Sequence, residues 1–390
     1  MTATAAIVGL GITDMGKIYD RSGADFAADA VTQAVADAGL SKSDIDGLLV
    51  NGNLWPDSQP TLQMMLGLED LTLCSAMTAA GSTAGQLVQY ATMAIEHELA
   101  SAVVLLFADV PLRRGVGSGA AYNMLDFWPM TGMSGLRLAW GEFGANPSYA
   151  LAARRHMHLF GTTSDHFGTI AVGQRQWALM NPKAQITKPL TLEEYHASRW
   201  VVEPLHLFDC CLVSNGAVAL VITSSERAAD MRQPPVYVAG YGQGHPGDNQ
   251  RRGRDPGVHT GAALSGPLAL RSAGVALTDI DFLELYDCYT YTVLVTLEDY
   301  GFCAKGEGGG FVSDGKLAPG GSLPTNTGGG QLSSYYMWGF TPMSEAVIQM
   351  RGQAGQRQVP KNDLCLVSTQ GGILNFHSTT ILSKSRQAGS

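Results

Sequence analysis

Short apolar runs alternate with longer amphipathic stretches from the start of the chain. Residues 4–13 form a compact apolar run that is typical of a buried strand. Residues 22–50 place alanine and leucine at i, i+3 and i+4 spacing, which predicts an amphipathic helix, a turn and a second strand. Residues 81–101 predict another helix, and the apolar residues 101–109 predict a strand buried on both faces. This alternation predicts an α/β fold.

The middle of the chain, residues 110–205, has a different pattern. It is rich in Met, Trp, Arg and His and only weakly periodic, although residues 148–161 and 163–181 predict helices. We interpret this region as a helical insertion, of the kind that often covers or shapes a site. Residues 208–231 then predict a strand and the start of a helix. Three residues are interpreted as the entry to that strand: Asp209, Cys210 and Cys211.

The second half of the chain repeats the outline of the first. Residues 31–50 and 268–287 both contain a helix, Ala-Gly, four residues, Asp-Ile-Asp and an apolar strand. Two matches in this order, so far apart, indicate a duplicated domain rather than a short-period repeat. Residues 362–383 predict two strands joined by a glycine turn. The predicted halves are residues 1–230, which hold the insertion, and residues 231–390.

Composition and charge narrow the class of protein. Of the 390 residues, 45% are hydrophobic and 15% are charged, which is typical of a globular enzyme with large cores. The formal net charge of −9 gives no basic surface for a nucleic acid. No apolar run reaches the ~18–20 residues that a membrane helix needs, and the first residues lack the basic start of a secretory signal. We therefore expect a cytoplasmic protein with no nucleic-acid or membrane partner.

The six cysteines show no CxxC spacing and lie mostly in apolar runs. Reduced thiols in a cytoplasmic protein are the simplest interpretation, and the pattern predicts no metal site. Cys74 follows the apolar residues of a predicted strand, where a cysteine usually behaves as a small buried hydrophobic residue. We expect Cys74 to be buried and chemically inert.

Duplicated α/β halves with a helical insertion in the first half resemble the thiolase fold, whose halves pack in five layers, αβαβα. Thiolases carry a nucleophilic cysteine at the entrance of a helix. In TAAGSTAGQLV the matching position is Gly81, and no cysteine stands there. Thiolases carry a second cysteine in the last glycine turn, where VSTQGGIL has Gln370. Both thiol groups of the thiolase reaction are therefore missing from these positions.

Tyrosines stand at two further thiolase motifs. LELYDCYTY matches the His-Asp-Cys-Phe or Asn-Glu-Ala-Phe motif, with Tyr286 in place of the histidine or asparagine. In NTGGGQLSSYYMWG, ten residues beyond Asn326, Tyr336 replaces the catalytic histidine. A literal Gly-His-Pro at His245 lies far upstream and lacks the glycine run, so we reject it. Because thiolysis needs a thiolate nucleophile and a base to activate it, this chain cannot follow the known thiolase route.

Longer strings narrow the resemblance. RRHMHLFG, SRWVVEPLHLFDCC and LEDYGFCAKGE resemble the lipid-transfer-protein, or sterol-carrier-thiolase-like, branch of the thiolase superfamily. Over essentially the whole chain, the sequence looks most like the bacterial thiolase-like aldolases of steroid side-chain degradation. The resemblance implies that two tyrosines carry out a retro-aldol cleavage of a β-hydroxyacyl-CoA. The implied substrate is a 17-hydroxy steroid 20-carboxyl-CoA, and the implied products are a 17-keto steroid and propionyl-CoA.

The resemblance also carries expectations about partners and cofactors. It implies a homodimer formed through the sheet of the first half. It further implies a small partner that combines an OB-fold with a zinc ribbon, so that two chains of each kind form a heterotetramer. CoA would enter only as part of the substrate, no separate cofactor is expected, and any zinc would belong to the partner chain.

A retro-aldol cleavage needs a base for the substrate hydroxyl, donors for the enolate oxygen and an acid for its carbon. We assign Tyr286 and Tyr336 as the catalytic pair, with Tyr286 preferred as the base and Tyr336 as the acid, and the order of the two stays open. This chemistry requires surroundings that lower a tyrosine pKa from about 10. Asp287 either orients Tyr286 or ties down the turn. Supporting or oxyanion donors are expected at four residues: Gly81, Ser82, Gly371 and Gly372. Substrate contacts are expected at four others: Asn326, Gly329, Gly330 and His377.

Several alternatives stay open. Tyr289 and Tyr335 are rivals for the catalytic pair, but as close sequence neighbours of Tyr286 and Tyr336 they are expected to point elsewhere. Three arginines either meet CoA phosphates or an acidic partner, or form a solvated loop: Arg251, Arg252 and Arg254. Two other functions also fit the sequence: a thiolase-type acyl-CoA acyltransferase that uses an unassigned low-pKa cysteine, and a non-catalytic lipid- or acyl-CoA-binding subunit.

Overall fold

A computed structural model of the chain describes residues 2–52, 59–122, 132–142, 144–247 and 255–388. Within these ranges one main sheet has nine strands, in the order β3-β2-β4-β7-β1-β8-β11-β10-β9, and a small ribbon pairs β5 with β6. The strands are β1 (Ala5–Ile12), β2 (Gly47–Asn51), β3 (Leu73–Met77), β4 (Ala102–Asp109), β5 (Trp200–Val202), β6 (Leu205–His206), β7 (Gly216–Ser224), β8 (Val236–Gly244), β9 (Phe282–Glu284), β10 (Leu364–Gly371) and β11 (Phe376–Ser383).

Helices connect these strands and cover both faces of the sheet. They are α1 (Gly23–Ala38), α2 (Gln59–Leu66), α3 (Thr83–Glu96), α4 (Gly132–Ala139), α5 (Ala145–Phe160), α6 (Ser164–Ala178), α7 (Leu192–Ala197), α8 (Ser225–Ala228), α9 (Ala262–Ala273), α10 (Thr290–Tyr300), α11 (Gly308–Ser313) and α12 (Phe340–Met350). Every strand and helix predicted from the apolar pattern is present, including the two helices of the insertion and the final pair of strands.

The two halves of the main sheet share one strand order. The first half runs β2-β4-β7-β1 and the second half runs β9-β10-β11-β8. In each half the first pair is parallel and the next two pairs are antiparallel. Strand β3 lies beyond β2 at the edge, and a single parallel bridge between Leu283 and Thr325 marks the corresponding place in the second half. The sequence duplication is therefore a duplication of fold.

The repeated Asp-Ile-Asp motif makes the same hydrogen bonds in both halves. The carboxylates of Asp44 and Asp279 each accept the backbone N–H that precedes a short 3₁₀ turn, at 2.8 Å. Two residues later, the carboxylate of Asp46 accepts the N–H groups of residues 101 and 102 at the start of β4. Asp281 does the same with residues 363 and 364 at the start of β10. The motif thus links the start of β2 to the start of β4 in the first half, and the start of β9 to the start of β10 in the second half.

The layers follow from which strands each helix contacts. Helix α1 packs on first-half strands only, and α9 packs on β8 and β11 of the second half. Helices α3 and α12 contact strands of both halves, so they form the layer between the two half-sheets. Leu87 of α3 and Phe340 of α12 are fully buried in this central core. These contacts agree with the predicted five-layer αβαβα arrangement.

The insertion packs against the second half of the chain. Helix α6 packs on α10 and α11, and it also contacts the π-helical turn at Gly330–Ser334. Through these contacts a segment of the first half reaches the loops that hold the predicted tyrosines. Among the described residues, no helix is long and apolar enough to cross a membrane.

The edge of the sheet corrects one expectation about the cysteines. Cys74 was expected to be buried, but its side chain is exposed, because β3 is the last strand of the sheet and has a neighbour on only one side. The expectation was wrong because an apolar pattern does not tell an edge strand from a central one. The arginines Arg251, Arg252 and Arg254 lie outside the described residues.

Candidate active site

Two buried phenols meet between the second-half loops and the start of α3. The hydroxyl oxygens of Tyr286 and Tyr336 lie 2.9 Å apart, and either phenol can be the donor of the hydrogen bond that joins them. Their ring centroids are 6.4 Å apart. Both side chains are more than nine-tenths buried. The two tyrosines that the motif spacing selects, 50 residues apart in the chain, therefore form one hydrogen-bonded pair.

The neighbouring tyrosines point elsewhere, as expected. The phenol of Tyr335 bonds the hydroxyl of Ser344 at 2.7 Å. The phenol of Tyr289 donates to the side-chain oxygen of Asn146, and its ring packs against Tyr149. Neither phenol is within hydrogen-bond distance of the Tyr286–Tyr336 pair in the described part of the chain. Only one tyrosine from each motif thus reaches the pair.

Gly81 provides the space for the Tyr286 ring. A methyl group on Gly81 would overlap the Cε2 and Cζ atoms of Tyr286 and the carbonyl oxygen of Gln370. Gly371 is equally confined, because a methyl group there would overlap the backbone of Ala79 and Gly81. The position where thiolases hold a nucleophilic cysteine is here a glycine because the phenol ring occupies that space.

Asp287 ties down the glycine loop. Its carboxylate accepts the backbone N–H of Gln331 at 2.9 Å and that of Leu332 at 3.3 Å, at the start of the π-helical turn. A methyl group on Gly330 would overlap that carboxylate, and Gly330 has a φ of +58°, which glycine adopts without strain. Of the two roles considered for Asp287, the contacts support the second: it fixes the turn that precedes Tyr336.

The substrate-binding role of Asn326, Gly329 and Gly330 stays a prediction, and the structure shows a conformational role for each of them. The side-chain oxygen of Asn326 accepts the Leu285 N–H at 2.6 Å, and the residue is fully buried. Gly329 lies against Ala178 of α6, where a methyl group would overlap the helix. All three have positive φ angles. They shape the loop and connect it to β9 and α6, and the glycine run is needed for backbone geometry.

His377 also belongs to a different environment from the one predicted. Its Nε2 atom lies 2.7 Å from the Ser368 hydroxyl and 3.1 Å from the Tyr300 phenol, inside the second half. Burial lowers the pKa of His377 to about 3, so the ring is neutral. The described neighbours of this fully buried side chain are internal polar groups, and its contact with substrate stays a prediction.

The predicted backbone donors divide into two kinds. The Ser82 N–H already donates to the Ala79 carbonyl at 3.1 Å, and its hydroxyl bonds Ser378 at 2.8 Å, so Ser82 is part of the helix entrance. Gly372 packs against the Phe376 ring. Gly81 and Gly371 remain as the glycines beside Tyr286, and their role as donors stays a prediction.

Two helices begin at this point. A methyl group on Gly339, the residue before α12, would overlap the carbonyl of Gly81, two residues before α3. The N-terminal ends of α3 and α12 therefore approach each other next to Tyr286. Helix N-termini carry partial positive charge from unpaired N–H groups and favour nearby anions. The site thus presents two positive helix ends to any negative charge that develops beside the phenols.

A third tyrosine lies against the pair. The ring of Tyr122 packs edge-on to Tyr336, with centroids 6.0 Å apart, and its phenol donates to the Asp109 carboxylate at 2.7 Å. Burial raises the pKa of Asp109, at the end of β4, to about 6. Sequence reasoning missed this contact, because Tyr122 lies in the weakly periodic insertion.

The segment Asp209–Ser214, called the bridging segment below, contacts both tyrosine loops. Cys211 donates its N–H to the Cys288 carbonyl at 3.0 Å, and Leu212 donates to the Gln331 carbonyl at 2.8 Å. The sequence interpretation treated its first three residues as the entry to β7, which starts only at Gly216. That interpretation missed their contacts with the loop that carries Tyr286. The string SRWVVEPLHLFDCC, singled out for its resemblance, was the available clue.

Comparison with known proteins agrees with this geometry. A model of the family "Thiolase C-terminal domain-like" matches residues 242–384. The "Steroid side-chain-cleaving aldolase" of Thermomonospora curvata is 40% identical over 364 residues, which cover 90% of this chain and 91% of that protein. The chain belongs to the aldolase branch of the thiolase superfamily. The "17-hydroxy-3-oxo-4-pregnene-20-carboxyl-CoA lyase" of Mycobacterium tuberculosis is 38% identical to this aldolase, over 90% of this chain and 92% of that protein.

A solved structure matches this thiolase-superfamily aldolase along its whole length. The "Ltp2-ChsH2(DUF35) aldolase" aligns with a TM-score of 0.87 and 36% sequence identity, covering 98% of both chains. Both the fold and the enzyme class expected from the sequence are thereby confirmed.

The thiols of this aldolase are poor nucleophiles. Loss of solvation raises the pKa of all six cysteines above the ordinary value, in the exposed Cys74 as well as in the more buried ones, and to about 12 for Cys288, which follows Tyr286 by two residues. A covalent thiolase reaction needs a thiolate near neutral pH. The surroundings of these cysteines therefore oppose the acyltransferase alternative.

The pKa values of the catalytic candidates differ from the sequence expectation. Burial raises the pKa of both Tyr286 and Tyr336 well above the usual value, instead of lowering it. The hydrogen bond with Tyr336 acts in the opposite direction on Tyr286, but the effect of burial is larger. Both phenols of the aldolase are neutral at rest, so any proton transfer has to begin from two neutral groups.

We expect Asp209 and Asp287 to lower the free energy of unfolding as the pH rises from about 5 to about 8, against an opposite contribution from His377, whose lowered pKa in the fold adds stability up to about pH 6.5. Burial raises the pKa of Asp209 to about 6 and that of Asp287 to about 7, from an ordinary value of 3.8. The folded state therefore binds protons more tightly than the unfolded state, and the stability from those protons is lost as the pH passes through the folded pKa values. The loss should be of the order of 1 kcal/mol for each carboxyl.

Chemical denaturation at several pH values tests this expectation. The variants Asp209→Asn and Asp287→Asn should each flatten the dependence of unfolding free energy on pH. Glu298 and Asp299 have lowered pKa values and therefore act at lower pH, outside this window. A pH dependence that is the same in wild type and in both variants would contradict the assignment.

Proposed function

We propose that this aldolase cleaves a β-hydroxyacyl-CoA by a retro-aldol reaction. The substrate in this proposal is a 17-hydroxy steroid 20-carboxyl-CoA, and the products are a 17-keto steroid and propionyl-CoA. The observation that carries the proposal is the 2.9 Å contact between the Tyr286 and Tyr336 phenols, at positions where thiolases hold other catalytic groups. The names of the two relatives support the steroid substrate and the CoA ester.

The proposed reaction is a proton relay between neutral groups. Tyr286 takes the proton of the substrate hydroxyl while passing its own proton to Tyr336 across their hydrogen bond. The Cα–Cβ bond breaks, its electron pair moves into the thioester as an enolate, and the oxygen becomes the ketone. In the same concerted step Tyr336 gives its original proton to the carbon on which the enolate charge develops, so neither phenol carries two protons at any point. Both tyrosines end neutral, as they began, which suits two phenols whose pKa values burial has raised.

The surroundings of the pair suit the enolate. Negative charge develops on the thioester oxygen, and the N-terminal ends of α3 and α12 lie beside Tyr286. Fixed positive dipoles in a buried site stabilise such a charge without reorganisation of solvent. We assign the backbone of Gly81 and Gly371 to this role. The site works without a covalent intermediate, so the loss of both thiolase cysteines does not hinder it.

A relay between neutral phenols predicts a flat pH–rate profile. We expect log kcat to change by less than ~0.3 between about pH 8 and pH 9.5, because both phenols stay protonated through that range. A resting phenolate base would instead raise kcat about tenfold per pH unit below its pKa. Initial rates at saturating substrate measure the difference. A slope near one would contradict the relay and favour a tyrosine with a lowered pKa.

The function is tested by following products with mass spectrometry. Purified chain is mixed with a 17-hydroxy steroid 20-carboxyl-CoA, with and without free CoA. Formation of propionyl-CoA and the 17-keto steroid without free CoA supports the retro-aldol reaction. A strict need for free CoA would show that the chain catalyses thiolysis and not a retro-aldol cleavage. Tight binding of the ester without turnover, whether or not the OB-fold, zinc-ribbon partner is added, would identify the chain as a binding subunit.

We further propose that the chain works in a cytoplasmic heterotetramer, with a homodimer of this chain at its centre and a small OB-fold, zinc-ribbon subunit on each side. The matching solved structure is named for a ChsH2(DUF35) component as well as the aldolase, which supports a partner of that kind. The edge strand β3 offers the first-half sheet for pairing with a second copy. The six free thiols suit a reducing compartment. Light-scattering mass with and without the partner tests the assembly.

A further inference from the structure

The geometry of the tyrosine pair is set in part by residues that belong to neither tyrosine loop. Tyr286 and Tyr336 lie on separate loops of the second half, which the Asp287 carboxylate joins at Gln331 and Leu332, upstream of Tyr336 itself. The bridging segment Asp209–Ser214 comes from the end of the first-half insertion and passes between the two loops. Its contacts with each loop are backbone hydrogen bonds and two buried side chains.

On the Tyr286 side the bridging segment holds the entrance to α10. Cys210 forms an antiparallel bridge with Tyr289, next to the bond between Cys211 and Cys288. The Asp209 carboxylate accepts the Thr290 hydroxyl at 2.5 Å, and also accepts the Tyr195 phenol at 2.8 Å. The loop that carries Tyr286 is thus fixed to the insertion through its last residues.

On the Tyr336 side the contacts converge on one hydroxyl. The Ser214 Oγ atom accepts the Tyr336 backbone N–H at 3.2 Å and donates to the Leu212 carbonyl at 2.7 Å. Val213 forms a parallel bridge with Tyr336 itself. Gln185 donates to the same hydroxyl at 2.7 Å. Ser214 is fully buried, so water cannot take over these bonds if the hydroxyl is removed.

We propose that Ser214 is a positioning residue. It holds the backbone of Tyr336 at the position from which the Tyr336 phenol reaches the Tyr286 phenol. This inference rests on the proposed function. Ser214 touches no reacting atom in the relay, so it acts only through Tyr336. Because proton transfer needs the phenols within hydrogen-bond distance, a displacement of about 1 Å is enough to slow the reaction by about 100-fold.

The test compares Ser214→Ala with Ser225→Ala. Ser225 is a matched control, since its buried hydroxyl donates to the Ala3 carbonyl at 2.8 Å, remote from the site. We expect kcat of Ser214→Ala to fall between ~10- and ~100-fold with KM within ~3-fold of wild type, because substrate contacts are unchanged. Ser225→Ala should keep kcat within ~2-fold. Equal kcat values for the two variants would overturn the proposal.

A second measurement is independent of the reaction. Hydrogen exchange of a peptide covering residues 330–338 should be faster in Ser214→Ala than in wild type, and unchanged in Ser225→Ala, because the Tyr336 N–H loses its acceptor. If wild type forms no retro-aldol product, the proposed function fails while the exchange data still test the position of Tyr336. Unchanged exchange in Ser214→Ala would overturn the inference, whatever the activity.

Discussion

Tyr286→Phe and Tyr336→Phe should each lower kcat by at least ~100-fold, with little change in folding. In the relay each phenol both accepts and donates a proton, so a phenylalanine at either position interrupts the whole path. The double variant should be no slower than the slower single variant, since the two groups act as one unit. Product formation is measured by mass spectrometry, and folding is checked by thermal unfolding.

Tyr335→Phe provides the matched control for this prediction. Tyr335 is adjacent to Tyr336 and equally buried, but its phenol bonds Ser344. Its removal should leave kcat within ~2-fold of wild type. If Tyr335→Phe lost as much activity as Tyr336→Phe, the assignment of Tyr336 would fail. Effects of Tyr286→Phe and Tyr336→Phe that multiply in the double variant would show two independent groups in place of a relay.

Gly81→Ala should lower kcat by ~100-fold or more and destabilise the fold by about 1–3 kcal/mol. The added methyl group would overlap the Tyr286 ring on one side and the Gln370 carbonyl on the other. The carbonyl belongs to a central strand and cannot move, so the ring has to leave its place and the bond to Tyr336 breaks. Gly81 does not have a positive φ, so the effect is one of space alone.

Gly310→Ala is the control for the glycine substitution. Gly310 lies in α11, and a methyl group there would meet nothing within 4 Å. This variant should keep full activity and be slightly more stable, because alanine favours a helix over glycine. Full activity in Gly81→Ala, measured at the same substrate concentrations, would show that the Tyr286 ring does not need its present position.

The repeated elements and the tyrosine pair were within reach of the sequence. Helix and strand periodicity depends only on neighbouring residues, so it can be recognised without knowing which elements pack against the segment. The sequence identified Tyr336 by its fixed distance from Asn326. That distance is set by the glycine loop between them, which contains residues with positive φ angles. The same glycines are confined by contacts within the protein, and their contact with substrate stays a prediction. Spacing shows that a backbone conformation is needed, but not whether a ligand is the reason.

Other features depend on contacts that leave no local pattern. The bond between Ser214 and Tyr336 joins residues 122 positions apart, and it uses a backbone N–H that every residue but proline possesses. Burial raised the tyrosine pKa values, which motif matching cannot foresee because burial is a property of the assembled core. The exposure of Cys74 likewise follows from the order of strands in the sheet.

The bridging segment has a consequence for biosynthesis. Residues 209–214 leave the ribosome long before Tyr286 and Tyr336. Synthesis adds about 5–20 residues per second, and N-terminal domains fold first as they emerge. The nascent first half must therefore keep the segment's N–H groups solvated or bound by a chaperone until the second half arrives. Gln370, which confines Gly81, is made after both tyrosines. The chain should therefore acquire activity only once Gln370 has been added, and products truncated before Gln370 should be inert.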